Sequence, residues 1–263
     1  MKEFSTFASF MQTLQRYFIE VRYNGNGFSG FQVQENAVTV QGELEKALAI
    51  YTRKQIALTG SSRTDGGVHA RQNFFHFDWE GSRIGDWEYH LNAILPEGIA
   101  VMGIYEMPIE AHCRFDAIGR EYLYTIYQHK DPFMQGWGWR YPYPLDMALM
   151  EEAALMVNGL HNFQCFCKRG VQVNNFNCTI AMAAWEMQGD KWVFRIRGNR
   201  FLRGMVRALV GTMVRVGRAE LTIQEWGSMI NGEGDNGVKW LAPAEGLVLE
   251  RVMYPAEWKW ERV

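Results

Sequence analysis

The first regular pattern along the chain is an alternation of apolar and polar residues at positions 17–23. With this spacing, residues 17, 19, 21 and 23 would share one face of a β-strand. Other short apolar segments bounded by turn-forming residues predict further strands. These lie at 73–79, 99–105, 120–127, 180–187, 192–197 and 247–253.

Three segments instead have the spacing of an amphipathic helix. In the first, Thr39 is the expected N-cap, and apolar residues follow at helical intervals over 40–51. The second segment is 145–157. The third, 200–216, has a broad apolar stripe suited to burial against a sheet, and Gly217 stands at its expected end.

The order of these elements predicts the fold class. It indicates an α+β chain in which a mixed or antiparallel sheet is covered by helices. A strand–helix–strand succession occurs once before about residue 108 and again after it. We therefore expect two similar halves, 1–108 and 109–263, although no low-complexity linker marks the boundary.

Composition is that of a globular protein, with 263 residues, 48% hydrophobic and 21% charged. No apolar stretch reaches the roughly 18 residues of a membrane span, and the N-terminus lacks the pattern of a secretory signal. The four cysteines form no C-x-x-C pair, which favours reduced thiols in the cytoplasm. A zinc set can be drawn from His161, Cys165, Cys167 and Cys178, but its spacing fits no common pattern.

Charge is unevenly distributed along the chain. The formal net charge is −2, yet the segment 195–218 contains seven arginines and neither Asp nor Glu. A concentrated basic element within an acidic average is typical of a local polyanion site. A solvated helix face would have the same composition, so the charge pattern alone leaves both interpretations open.

The small-residue loop at 60–70 is suited to chemistry. Asp65 is followed there by Gly66 and Gly67, which allow the backbone to turn sharply and to approach a ligand closely. A carboxylate in such a loop can act as a nucleophile or as a general base. An Asp-Gly pair is also a common structural turn, and the loop by itself does not separate the two interpretations.

The residues around Asp65 resemble a known signature. Residues 62–70, Ser-Arg-Thr-Asp-Gly-Gly-Val-His-Ala, are similar to the Gly-Arg-Thr-Asp-Ala-Gly-Val-His-Ala signature of the TruA family of tRNA pseudouridine synthases. Other segments resemble the family in the same order. They are 31–34, 38–48, 91–96, 115–124, 199–217 and 245–247, so the matches extend over about residues 16–255.

The resemblance implies roles for particular residues. Asp65 matches the essential aspartate of the family, and Arg207 matches the arginine that pairs with it and holds it ionised and oriented. Tyr122 matches the tyrosine that stacks on the target uracil. Arg63 matches the arginine that occupies the space left by the flipped base, and Leu247 resembles a pocket-wall residue. Without the resemblance, the tyrosine reads as an ordinary strand aromatic and Arg207 as a surface arginine.

The resemblance also implies the fold, reaction and partners. It implies a pseudouridine synthase fold with the active-site cleft between the two halves, and an isomerase that needs no cofactor or metal. The expected substrate is the anticodon stem-loop of tRNA at positions 38 to 40, read by shape and backbone. The arginines of 195–218 are the expected phosphate contacts, and the expected assembly is a homodimer. The alternatives are a synthase for another RNA, a non-catalytic RNA-binding protein of this fold, and a glycosidase that releases uracil.

Three departures from the family pattern concern this loop and the basic helix. Ser62 replaces the usual Gly and Gly66 a common Ala, and both are exchanges of one small residue for another. Arg203-Gly204 replaces a common His-His. We expect Arg203 to contact the substrate, so this departure bears on site specificity more than on the reaction. His69, within the signature, is expected to be structural.

Overall fold

A computed structural model describes residues 14–81, 85–168, 170, 175–233 and 240–263. Its strands are β1 Gln15–Tyr23, β2 Thr59–Gly60, β3 His69–Trp79, β4 Ile99–Met107, β5 Gly119–Tyr127, β6 Trp139–Arg140, β7 Gly159–Asn162, β8 Asn177–Gln188, β9 Lys191–Gly198, β10 Leu247–Met253 and β11 Glu261–Arg262. Its helices are α1 Val40–Thr52, α2 Trp87–Ile94, α3 Met147–Met156, α4 Met205–Gly217 and α5 Ile223–Ile230. None of the helices within these ranges is long and apolar enough to span a bilayer.

The strands form one mixed sheet in the order β11-β4-β1-β3-β10-β5-β9-β8-β7, with β2 paired to β3 and β6 paired to β5. The pairs β3–β10 and β5–β6 are parallel, and the other pairs are antiparallel. This architecture confirms the predicted α+β class with a mixed sheet. All seven strands predicted from the sequence are present, with ends displaced by a few residues.

Strand β10 joins the two sides of the sheet. It lies between β3 and β5, with Leu249 opposite Ala70 on one side and opposite Tyr122 on the other. The end of the Asp65 loop, at Ala70, is therefore separated from the strand that carries Tyr122 by β10 alone. The chain also returns at β11 to pair with β4. The division into halves at residue 108 stays a prediction.

Both faces of β1 are covered. The four residues predicted to share one face are all buried in the core. Phe18, on the opposite face, is buried as well, because Tyr254, Trp258 and Trp260 pack against its ring. Simple alternation does not predict this second layer, since it is supplied by residues far along the chain.

The helices differ from the predictions at one boundary and in number. Thr39 is the N-cap of α1, as predicted, and its hydroxyl accepts the Gly42 backbone N–H at 3.2 Å. Helix α4 begins at Met205 rather than at residue 200, because Gly204 has a φ of 74° and interrupts any helix that enters from Arg203. The short helices α2 and α5 were not predicted.

Candidate active site

The loop that carries Asp65 follows β2 and leads into β3, and it is built against the segment 25–31. The Asp65 backbone forms an isolated bridge with Gly30, and the Asp65 carbonyl accepts the Val68 N–H at 3.2 Å. A Cβ on Gly25 would lie 2.2 Å from the Val68 carbonyl oxygen, so only glycine allows this approach. Gly67, with a φ of 80°, completes the turn after the aspartate.

Buried polar groups support the loop from below. The Tyr23 and Thr64 hydroxyls are 2.8 Å apart. The Asn73 side-chain amide donates to the Tyr23 oxygen at 3.2 Å and to the Ser62 carbonyl at 2.8 Å. Burial raises the pKa of Tyr23, so its phenol stays protonated and available to these partners. Since buried polar groups are costly to leave unpaired, this layer fixes the backbone on both sides of Arg63.

Asp65 forms an ion pair with Arg207, which lies in the first turn of α4. The guanidinium Nη1 is 3.0 Å from the Asp65 Oδ2, and its Nε donates to the Ala242 carbonyl at 2.8 Å. The two side chains are 19% and 14% exposed, so the pair is neither sealed from solvent nor fully hydrated. The second anchor, on Ala242, holds the guanidinium in place and therefore orients the carboxylate.

Arg203 lies at the outer side of the same carboxylate. Its Nε is 3.9 Å from the Asp65 Oδ1, and the side chain is 57% exposed. This places the predicted substrate contact next to the predicted catalytic residue. The exposed guanidinium retains donors that can meet a phosphate or a base.

Tyr122 lies on β5 close to Asp65. Its side chain is 7% exposed, and its ring packs edge-on against Phe201 with centroids 5.1 Å apart. Burial raises the pKa of Tyr122 to about 12; the Arg120 guanidinium acts against this shift, and the Asp65 carboxylate adds to it. The phenol is therefore neutral at physiological pH. A neutral aromatic next to one carboxylate is suited to hold a flat base.

The last two predicted site residues, Leu247 and Arg63, differ in exposure. Leu247, buried, starts β10 opposite Tyr124. The preceding Gly246 lies so close to the Tyr124 ring that a Cβ would be 2.5 Å from it. Arg63 is exposed on the loop, two residues before Asp65. The fold therefore brings Arg203, Arg207 and Tyr122 to Asp65, while Arg63 is exposed to solvent.

His69 has a structural environment, in agreement with the expectation. Its Nδ1 accepts the Gly25 N–H at 3.0 Å, and its Nε2 donates to the Glu245 carbonyl at 3.2 Å. Trp137 stacks on the imidazole with centroids 4.4 Å apart. Burial lowers the pKa of His69, which keeps the ring neutral. The imidazole thus links the end of the Asp65 loop to the segment that precedes β10.

Arg120 belongs to the site but was not singled out in the sequence. Its Nε donates to the Ser62 hydroxyl at 3.2 Å, and its other donors reach the carbonyls of Arg114 at 2.9 Å, Ala117 at 3.0 Å and Asn199 at 3.3 Å. All four acceptors are neutral, and burial lowers the pKa of this arginine. The signal in the sequence is an arginine at the start of an apolar strand, a position that is rarely buried without a role.

The basic segment 195–218 does not form one continuous surface. Arg195 pairs with Glu121 at 2.6 Å. Arg215 and Arg218 both pair with Glu220. Two of the seven arginines contact Asp65, as described above. The sequence pattern therefore overstated the extent of the basic element, because Glu121 from β5 and Glu220, two residues beyond the segment, neutralise part of it.

One group of possible metal ligands lies close together within the described residues. It consists of His76, His112 and Cys113, with ligand atoms within 4.8 Å of one another. The zinc set considered from the sequence is not that group. The His76 Nδ1 accepts the Cys113 backbone N–H at 3.2 Å, and the Cys113 thiol donates to the Thr59 carbonyl at 3.1 Å. These atoms are engaged within the protein, and we assign no metal to them.

Comparison with known proteins places these residues in a family. A family model for tRNA pseudouridine synthase matches residues 153–255. The chain is 43% identical over 247 residues to tRNA pseudouridine synthase A of Parabacteroides distasonis, which covers 93% of this chain and 98% of that protein. It is 39% identical to the protein of that name from Bacteroides fragilis, over 93% and 98%, and 36% identical to that from Staphylococcus aureus, over 90% of each chain. Because identities of 36–43% extend over at least 90% of the chain, the chain belongs to the tRNA pseudouridine synthase family.

Proposed function

We propose that this protein isomerises uridine to pseudouridine in the anticodon stem-loop of tRNA, at positions 38 to 40, with Asp65 as the catalytic residue. The observation that carries the proposal is the Asp65–Arg207 ion pair at 3.0 Å beside the buried ring of Tyr122. The names of the relatives support the reaction and the class of RNA. The choice of stem-loop positions rests on the resemblance of the loop and helix motifs.

The reaction needs one reactive group and a pocket that retains the detached base. The bond between N1 of uracil and C1′ of ribose breaks, uracil turns, and C5 is joined to C1′; C5 then loses its proton and N1 takes up a proton, so that the product is an isomer of uridine. Asp65 starts this sequence either by attacking the sugar or base or by removing a proton from the sugar. In each case Arg207 orients the carboxylate, and Tyr122 offers a neutral face to the base.

The base must leave its stack to reach Asp65, because the carboxylate is only 19% exposed and is paired with Arg207. Flipping is least costly where pairing is weak, as in a loop or at the end of a stem. In this proposal Arg63, which is exposed on the catalytic loop, enters the space that the base leaves. Arg203 contacts the flipped nucleotide or its phosphate, and Leu247 forms part of the pocket wall. We also propose a homodimer and a cytoplasmic location, which follow from the family resemblance.

The test is product mapping on unmodified tRNA transcript with wild type, Asp65→Asn and Asp65→Ala. Pseudouridine is located by carbodiimide-stop sequencing. Asp78→Asn is the matched control, because Asp78 is a carboxylate on β3 paired with Arg16 rather than with a site residue. We expect signal in the anticodon stem-loop for wild type and the control, and none for either Asp65 variant.

Other outcomes separate the alternatives. Free uracil in the supernatant indicates a glycosidase. Signal at a different RNA position would mean that the protein makes pseudouridine but that its target is another uridine. Binding of tRNA without any product from wild type contradicts the enzymatic proposal and favours an RNA-binding protein of the same fold.

A further inference from the structure

Phe115 exposes an aromatic ring that the proposed reaction does not use. It lies in the connection between β4 and β5, and its side chain is 74% exposed. Most other phenylalanines of the described chain are buried in the core. A large apolar side chain at the surface is ordinary when it is isolated and mobile. Phe115 differs because the backbone that presents it is held tightly.

The turn under Phe115 is closed by hydrogen bonds. The His112 Nδ1 accepts the backbone N–H of Arg114 at 3.1 Å and that of Phe115 at 3.3 Å. The Asp116 carboxylate accepts the His112 N–H at 2.7 Å. The His112 ring also lies against the Phe115 ring, with centroids 4.1 Å apart. The ring is therefore supported from one side, and little conformational entropy remains to be lost when a partner covers the other side.

The same turn is attached to the catalytic loop. The Arg120 guanidinium donates to the Arg114 carbonyl at 2.9 Å and to the Ser62 hydroxyl at 3.2 Å. One side chain thus joins the residue before Phe115 to a residue three positions before Asp65. The turn that presents Phe115 is therefore held to the catalytic loop through the Arg120 side chain.

The charges around the ring indicate the kind of partner. The Arg114 guanidinium is 5.7 Å from the Phe115 ring centroid. An aromatic face next to an arginine is the arrangement with which proteins stack unpaired bases and meet the adjoining phosphates. A purely apolar partner would leave this guanidinium without a counter-charge.

We propose that Phe115 is a stacking platform for an unpaired base of the RNA substrate, outside the pocket in which the target uridine reacts. The proposal rests on the proposed function for the identity of the RNA. The platform binds a neighbour of the target nucleotide and contributes to affinity. It takes no part in the bond changes at Asp65.

The test compares Phe115→Ala and Phe115→Trp with Tyr89→Ala as the control. Tyr89 is a similarly exposed aromatic, but it lies on α2 rather than on the turn that Arg120 joins to the catalytic loop. The probe is unmodified tRNA transcript, and the readouts are Kd, KM and kcat for pseudouridine formation. Loss of one stacked base corresponds to roughly a tenfold or larger increase in Kd. We expect that increase, with a parallel rise in KM and a kcat within about twofold of wild type, for Phe115→Ala only.

Two further measurements decide the interpretation. Phe115→Trp keeps an aromatic face, so its Kd for tRNA should lie within about threefold of the wild-type value. Transcripts that carry 2-aminopurine at single loop positions should show quenching at one position with wild type and none there with Phe115→Ala.

The proposal is overturned if Phe115→Ala binds tRNA as Tyr89→Ala does, or if its only effect is a change of oligomeric state on gel filtration, which would assign the ring to a subunit interface. A wild-type protein that binds tRNA through Phe115 but forms no pseudouridine would refute the proposed function and leave the platform standing. A wild type that forms pseudouridine, together with a Phe115→Ala variant whose Kd for tRNA equals that of wild type, would support the proposed function and refute the platform.

Discussion

At the scale of single residues, the role of Asp65 is indicated by a partner that is distant in sequence. An aspartate before two glycines is compatible with an ordinary turn. The ion pair with Arg207, 142 residues away along the chain, separates this turn from an ordinary one. A carboxylate that only closed a bend would not need a guanidinium with a second anchor on Ala242.

Replacing Arg207 by lysine tests the orienting role. An ammonium group cannot hold both the Asp65 carboxylate and the Ala242 carbonyl in the geometry of a guanidinium. Hydrogen bonds to charged groups contribute about 1.5–3 kcal/mol, so we expect kcat for pseudouridine formation to fall by about 10- to 100-fold in Arg207→Lys, with KM for tRNA changed less.

Arg215→Lys is the matched control for this measurement. It makes the same exchange on the same helix, at an arginine paired with Glu220. Equal kcat values for Arg207→Lys and wild type would contradict the orienting role.

The departures from the family signature can also be judged residue by residue. Ser62 uses its hydroxyl to accept a hydrogen bond from Arg120, so the extra atom has a partner. A Cβ on Gly66 would lie 3.3 Å from the Ser29 carbonyl carbon, a tight contact that a small shift of the neighbour would relieve. Neither change alters the groups that touch the Asp65 carboxylate.

At the scale of elements, the start of α4 decides how Arg203 and Arg207 are placed. The helix begins after Gly204, whose φ of 74° turns the incoming chain. Arg203 therefore lies before the helix and Arg207 within its first turn, so the two arginines reach Asp65 from different directions. A helix that began at residue 200 would have carried them on successive turns of the same face.

Gly204→Ala tests this boundary. Space is available for a Cβ, since its nearest neighbours would be 3.7 Å away, so the cost is that of the backbone conformation alone. A left-handed conformation costs a non-glycine residue about 1–2 kcal/mol. We expect the free energy of unfolding in urea to fall by about that amount for Gly204→Ala.

Gly204→Asn is the comparison for this prediction, because asparagine tolerates the left-handed region better than alanine. It should lose less stability than Gly204→Ala. An unchanged unfolding midpoint for the alanine variant would mean that the turn before α4 is not constrained as described.

At the scale of the whole molecule, burial of histidines predicts how stability depends on pH. Burial, with the Arg16 charge as a further cause, lowers the pKa of His76 from 6.5 to about 4. Between these values the unfolded chain binds a proton at this residue and the folded chain does not. The free energy of unfolding therefore falls as pH is lowered from 6.5 toward 4, by up to about 1.4 kcal/mol per pH unit for one proton.

Urea denaturation at several pH values between 4 and 8 measures this slope. His76→Gln removes the titrating group and should flatten the dependence below pH 6.5. His129→Gln, the same exchange at an exposed position, is the control variant. A slope that is the same in all three proteins would show that His76 does not contribute.

The amino-acid sequence by itself determined the regular elements with strong local patterns. Alternation located β1, short apolar segments bounded by turn-forming residues located the other six long strands, and helical spacing with the Thr39 cap located α1, because these signals depend on near neighbours in the chain. The motif around Asp65 and the ordered matches along the chain determined the family. Short helices such as α2 escaped prediction, since a few residues provide too little periodicity.

Only the tertiary structure decided which charges and rings meet. It pairs Arg207 with Asp65 and Arg195 with Glu121. It also buries Phe18 beneath the rings of Tyr254, Trp258 and Trp260. These contacts depend on β10 entering the sheet between β3 and β5. Local sequence does not encode that order, because it is set by the burial of apolar faces contributed by the whole chain.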